Sequence, residues 1–224
     1  MQTITERKQI QAVNQTFTRG LALCAAAGHI LFTLSWLVLG LLSPGFTMFG
    51  IVIKPYSALA TPISGLGLGL TAPFMNAAFI LSGLLVLVGV VGIFHRIQDL
   101  SSAARWSCIV LFALSPLGMM LDGIFTIESF LPHMSGYLLA AGTPVLSFLV
   151  LGLLFRQLSR WKTAGNWFVL ASPLTLFLLL LSLVTFDQNA VIGGYGIAGL
   201  TERILCVELA AVFSALSWLA YRRG

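Results

Sequence analysis

Six residues in the 224-residue chain have types and positions that could do chemistry at a membrane: Asp122, Glu128, His133, Glu202, Arg203 and Glu208. Glu202 and Arg203 open the last long apolar stretch, within Gly199-Leu200-Thr201-Glu202-Arg203. Glu208 follows about 9 Å deeper along a helix. A charge in the middle of a membrane helix costs about 3 kcal/mol on insertion scales, so each needs a partner, a proton or water. Carboxylates, an imidazole and a guanidinium at one membrane level can hold a polar headgroup through charge-assisted hydrogen bonds. His133 beside a carboxylate can also act as a general acid or base. Each residue has a plainer role as well. An acid at position 202 suits a helix N-terminus. Arg203 can simply pair with Asp122 or Glu128 to fasten helices, and Glu128, in a connection, can be merely solvated.

Asp122, Glu128 and His133 are metal-ligand types. No His-Glu-x-x-His or paired-His spacing accompanies them, so no metal is assigned and the cofactor is left open. Walker, Gly-x-Ser-x-Gly and Cys-x-x-Cys patterns are absent, and Ser64, in Pro62-Ile63-Ser64-Gly65, lacks a nucleophile signature. His29 enters from the opposite end of the bundle and is expected at a different depth from His133, which argues against a haem between them.

What positions these residues follows from composition. The chain is 58% hydrophobic and 8% charged, against about 25% charged in a soluble domain. Apolar runs of about 20 residues, each long enough for a ~30 Å hydrocarbon core, are expected as helices at 21–42, 72–94, 106–125, 133–155, 167–186 and 201–221. The predicted fold is all-α: a six-helix polytopic membrane bundle spanning residues 21–224 behind a polar cytoplasmic tail, 1–20. Residues 43–71 hold five glycines and a single charge, Lys54; such a segment is expected to lie along or dip into the interface. The internal Pro116 and Pro173 are expected to kink helices three and five. Cys24, Cys108 and Cys206 fall in three separate apolar segments, which argues against a disulfide framework.

Six spans put both termini on one side. That side carries Lys or Arg at 7, 8, 19, 96, 105, 156, 160, 162, 222 and 223; the other has Lys54 and Arg203. The positive-inside rule makes the basic side cytoplasmic, and Trp106, Trp161, Trp167 and Trp218 are expected to form an aromatic belt there. The +5 net charge is therefore an insertion signal, with no nucleic-acid partner implied. Pro73/Pro132, Phe94/Phe155, Arg105-Trp106/Arg160-Trp161 and Ser115-Pro116-Leu117/Ser172-Pro173-Leu174 recur in one order. This pattern suggests that helices 2–3 and 4–5 are a duplicated hairpin.

Three short motifs resemble the bacterial membrane-protein family known as domain of unknown function 998. They are Pro62-Ile63-Ser64-Gly65-Leu66-Gly67, Gly123-Ile124-Phe125-Thr126-Ile127-Glu128 with His133, and Gly199-Leu200-Thr201-Glu202-Arg203. Thr126, Glu128 and Gly65 stand where the family usually has Pro, Asp and often an acid. The resemblance implies a six-helix fold whose motifs lie on the outer side; it brings no activity with it.

The leading expectation is an integral membrane protein of the bacterial inner membrane. Its outward-facing polar cavity would be lined by Asp122, Glu128, His133, Glu202, Arg203 and Glu208 and would bind a lipid headgroup or small amphiphile. The alternatives are a scaffold subunit with a membrane-protein partner, and an intramembrane hydrolase using His133 and the outer carboxylates. Whether the chain is an enzyme stays open at this stage.

Overall fold

The structure, a computed structural model, describes the backbone of residues 4–223 and the side chains of residues 18–223. Arg7 and Lys8, counted above on the basic side, lie outside the described side chains. Six helices are long and apolar enough to cross a membrane. They are α1 (Ile4–Leu42), α2 (Ala72–Arg96), α3 (Ser102–Ile124), α4 (Phe130–Arg156), α5 (Lys162–Thr185) and α6 (Ala198–Arg223). Most run a few residues past the expected limits into polar sequence, because helical hydrogen bonding does not stop where the hydrocarbon does. α1 passes through residues 20 and 21 without a break.

The helices form a ring in chain order, each packed on the next, closed by α6 against α1 and with α2 also touching α6. Both ends of the described chain lie at one end of the ring: the Ser217 hydroxyl donates to the Ala22 carbonyl at 2.6 Å, and the Arg19 guanidinium sits over the Tyr221 ring. Small residues let the helices approach. A Cβ on Gly92 would stand 2.6 Å from the Ala22 nitrogen, and one on Gly152 2.8 Å from the Val169 nitrogen. In membranes such close backbone packing substitutes for the missing hydrophobic drive between helices.

The half of the bundle near the termini is solid. Phe112, Phe148 and Phe213 contact one another at ring-centroid distances of 5.6–5.9 Å, flanked by Phe94, Phe155 and Phe168. Trp161 belongs to this core and not to an aromatic belt. It is fully buried against Phe155, with its indole N–H donating to Asp99 at 2.6 Å. Trp106, Trp167 and Trp218 remain exposed.

The opposite end is capped by the 43–71 connection, which folds inward. Phe46–Met48 and Ile51–Ile53 form a two-stranded antiparallel hairpin, β1–β2. Two 3₁₀ turns, Ile63–Gly67 and Gly69–Thr71, then lead into α2, the first of them wholly buried. The Asn76 amide holds this segment by donating to the Gly67 carbonyl at 3.3 Å. A helical turn at Gln188–Gly193 packs on the hairpin. α3 and α5 each run as single helices through Pro116 and Pro173. The irregularity falls in α4 instead, as a π turn at Leu138–Gly142, where Ser115 donates to the Ala140 carbonyl at 2.7 Å.

Candidate functional site

Under the cap, between the helix ends, lie two adjoining cavities of about 60 and 50 Å³. Ser64, His133, Tyr137 and Glu202 line both. The inner cavity adds Asp122, His29, Ser115 and Cys206. The outer one leads past Phe130, Leu183 and Phe186. Each holds ordered water, at about 30 Å³ a molecule, and is far below the roughly 300–1,000 Å³ of a whole small-molecule site.

Glu202 reaches across to the cap: its Oε2 accepts from the Ile63 backbone N–H at 2.9 Å. Arg203 does the same work with its donors. One guanidinium nitrogen lies 2.8 Å from the Ala58 carbonyl, 2.9 Å from Thr61 and 2.7 Å from Gly199. The other donates to the Tyr56 hydroxyl, and Trp36 stacks against the group with its centroid 5.4 Å away. Burial pushes the Tyr56 phenol above its ordinary pKa despite the neighbouring Arg203 charge, so it meets the guanidinium as a neutral hydroxyl. Gly199 permits the approach, since a Cβ there would stand 2.6 Å from the Ala58 carbonyl and 2.7 Å from the guanidinium. The expected pairing of Arg203 with Asp122 or Glu128 therefore does not form. Carbonyls of the buried cap satisfy it, and it does not line the cavities.

His133 is buried, with Nδ1 2.8 Å from the Phe125 carbonyl. A carbonyl only accepts, so Nδ1 carries the proton and the neutral ring keeps its lone pair at Nε2. Asp122 Oδ1 lies 3.4 Å from the same Nδ1. That oxygen is buried and has no hydrogen bond among the described residues. A Cβ on Gly136 would strike the Asp122 carboxylate, so α4 offers a glycine where α3 brings in its acid. Tyr137 and Ser182 hydrogen-bond each other on the outer cavity's wall. His29 forms part of the floor, 4.9 Å from Phe213 between ring centroids, with Nε2 unpartnered. His29 and His133 thus border one space, because the capping loop carries the polar region deeper than the helix ends alone would.

Two expected site residues lie elsewhere. Glu128 is exposed on the α3–α4 connection, where its Oε1 accepts from the Phe49 backbone N–H at 2.9 Å and pins the β1–β2 hairpin. Glu208 faces α5, accepting from the Thr175 hydroxyl at 3.0 Å, and lines a separate groove. No group of three or more His, Cys, Asp or Glu able to hold a metal occurs among the described residues.

A family model for proteins of unknown function, DUF998, matches residues 25–219. The chain belongs to the DUF998 family. No curated protein and no solved structure matches it. In this DUF998 chain the three resembling motifs meet around the cavities. Pro62 and Ser64 come from the first, Ile127 and His133 from the second, and Glu202 from the third. Sequence reasoning passed over Ser64, Tyr137 and Tyr56. The first motif's position beside the others was the signal for Ser64; nothing local marked the two tyrosines.

Proposed function

We propose that the DUF998 chain binds, in the outer half of the membrane, an amphiphile whose polar end carries an amine or hydroxyl. The lining of the two cavities carries this reading. Asp122, Glu202, a neutral His133 and the hydroxyls of Ser64 and Tyr137 face it, with no Lys or Arg among the described lining residues. Such a surface attracts hydrogen-bond donors and repels phosphate. Because the polar space is small, it takes only the tip of a headgroup, and the chain would follow Phe130, Leu183 and Phe186 outward. Native mass spectrometry of the full chain in a neutral maltoside detergent tests this with dodecylamine and dodecyl phosphate as probes. The amine is expected to be retained and the phosphate not. Glu202→Gln keeps an acceptor for the Ile63 N–H yet removes the charge. It should weaken the amine adduct about tenfold or more, a charge-assisted hydrogen bond being worth about 1.5–3 kcal/mol, while Glu128→Gln changes nothing. Preferential retention of the phosphate, or an unaltered adduct in Glu202→Gln, would overturn the reading.

One observation favours a second reading, an intramembrane ester or amide hydrolase. Ser64 borders the same cavities as His133, whose Nδ1 is fixed by Phe125 beside the Asp122 carboxylate. In that reading Ser64 Oγ attacks the acyl carbon, Nε2 takes its proton and returns it to the leaving group, and water releases the acyl group. A fluorophosphonate probe should then modify Ser64 in the native chain and fail to do so in His133→Gln. No adduct at Ser64, under conditions that label a serine-hydrolase control, removes this reading and leaves the binding reading standing.

A further inference from the structure

Glu208 is the one expected site residue left without a role by the outer cavities. It lies on α6 about 15 Å from Ala198 at the helical rise, near the middle of a ~30 Å hydrocarbon layer. Its surroundings are an apolar groove of about 470 Å³ between α5 and α6, walled by Phe168, Ala171, Leu174, Ala211, Val212 and Ala215. That volume falls within the range of small-molecule sites, unlike the outer cavities. The carboxyl is incompletely satisfied. Thr175 donates to Oε1 at 3.0 Å, but the same hydroxyl lies 2.9 Å from the Ala171 carbonyl and has a single proton to share. Oε2 is buried and has no hydrogen-bond partner among the described residues. No Lys or Arg lines the groove.

We propose that this groove is a second binding site, for a membrane-dissolved alcohol: a long-chain or branched hydrocarbon with a single hydroxyl placed against Glu208 Oε2. The apolar walls take the hydrocarbon. A hydroxyl suits the carboxyl in either protonation state, since it donates to a carboxylate and accepts from a carboxylic acid. An amine meets only the first. A pure hydrocarbon leaves the buried oxygen unpaired, at the cost that accompanies any unsatisfied polar group away from water. The site is independent of the outer cavities: it uses the α5-facing side of α6 and none of their lining residues.

The test uses the full chain in phosphatidylcholine nanodiscs with two photoprobes, hexadecanol carrying a mid-chain diazirine and the matching diazirine hexadecane without the hydroxyl. Crosslinked peptides are mapped by mass spectrometry. Labelling of α5 and α6 between residues 164 and 219 by the alcohol is expected to exceed that by the hydrocarbon at least fivefold. Glu208→Leu, which removes the acid without opening a hole, should abolish the difference. Glu208→Gln, whose amide both donates and accepts, should retain it. Equal labelling by the two probes, or an undiminished preference in Glu208→Leu, overturns the proposal. Absence of labelling with the chain running as a dimer also overturns it, and gives the groove to a second copy.

Discussion

At the scale of single residues, the lesson lies in how two neighbouring charges divide their work. Arg203 looks from sequence like a ligand-binding cation, because the nearest obvious partners for a guanidinium are acids. Its partners are instead the carbonyls of Ala58, Thr61 and Gly199 and the hydroxyl of Tyr56. Backbone carbonyls carry no sequence signature, so this outcome was not legible. Arg203 is accordingly a fastener of the cap, and Arg203→Ala should strand buried acceptors as well as remove the charged donor. Hydrogen bonds to charged groups contribute about 1.5–3 kcal/mol. We expect a loss of about 3 kcal/mol, or roughly 6–12 °C in unfolding midpoint for a chain of this size, with Arg160→Ala as the exposed control. Thermal unfolding in detergent measures both; equal midpoints would show that the cap does not depend on Arg203. The separation of Glu202 from Glu208 was, by contrast, readable. Six residues at about 100° each place the two acids on different faces of one helix, whatever their depth.

At the scale of elements, the six spans were plain because long apolar runs have few other fates in a membrane. Their ends slipped by a few residues: α2 continues to Arg96 and α3 starts at Ser102, since polar residues extend a helix into the interface without penalty. The cap was harder. Its glycine content and single charge predicted an interfacial segment but not a hairpin followed by 3₁₀ turns, because those depend on contacts with Asn76, Glu128, Glu202 and Arg203 from distant spans. The π turn in α4 has no local marker either; its company is tertiary, the Ser115 hydroxyl on the Ala140 carbonyl. Trp161 was misplaced for a related reason. A tryptophan next to a basic loop fits a membrane belt, yet an acid on another loop, Asp99, supplies the hydrogen bond that lets the whole ring turn inward. The recurrent Ser-Pro-Leu triplets likewise make different contacts: Ser115 donates to Ala140, Ser172 to Val145, at either end of the region where α4 changes pitch.

At the scale of the whole molecule, a ring of helices is filled with aromatic rings at one end and carries a capped polar space at the other. This asymmetry fits a protein whose traffic is with one face of the membrane. The charges favour one orientation. Arg19, Arg96, Arg105, Arg156, Arg160, Lys162, Arg222 and Arg223 lie at the end bearing the termini, whereas the capped end has Lys54 and Arg203. Of those two, Arg203 is buried and held by carbonyls, which leaves Lys54 as the one exposed cation there among the described residues. Lys and Arg in short loops resist translocation, so we place the terminal end in the cytoplasm and the cavities toward the outer side. Single cysteines at exposed positions decide the matter, in a background with Cys24, Cys108 and Cys206 replaced by Ala. Asn189→Cys lies beside the cap and Ser159→Cys on the α4–α5 connection. In intact cells a membrane-impermeant maleimide should modify Asn189→Cys and spare Ser159→Cys until the membrane is opened. The reverse pattern would turn the bundle over, put the polar cavities on the cytoplasmic side, and direct the search for the amphiphile to the inner leaflet.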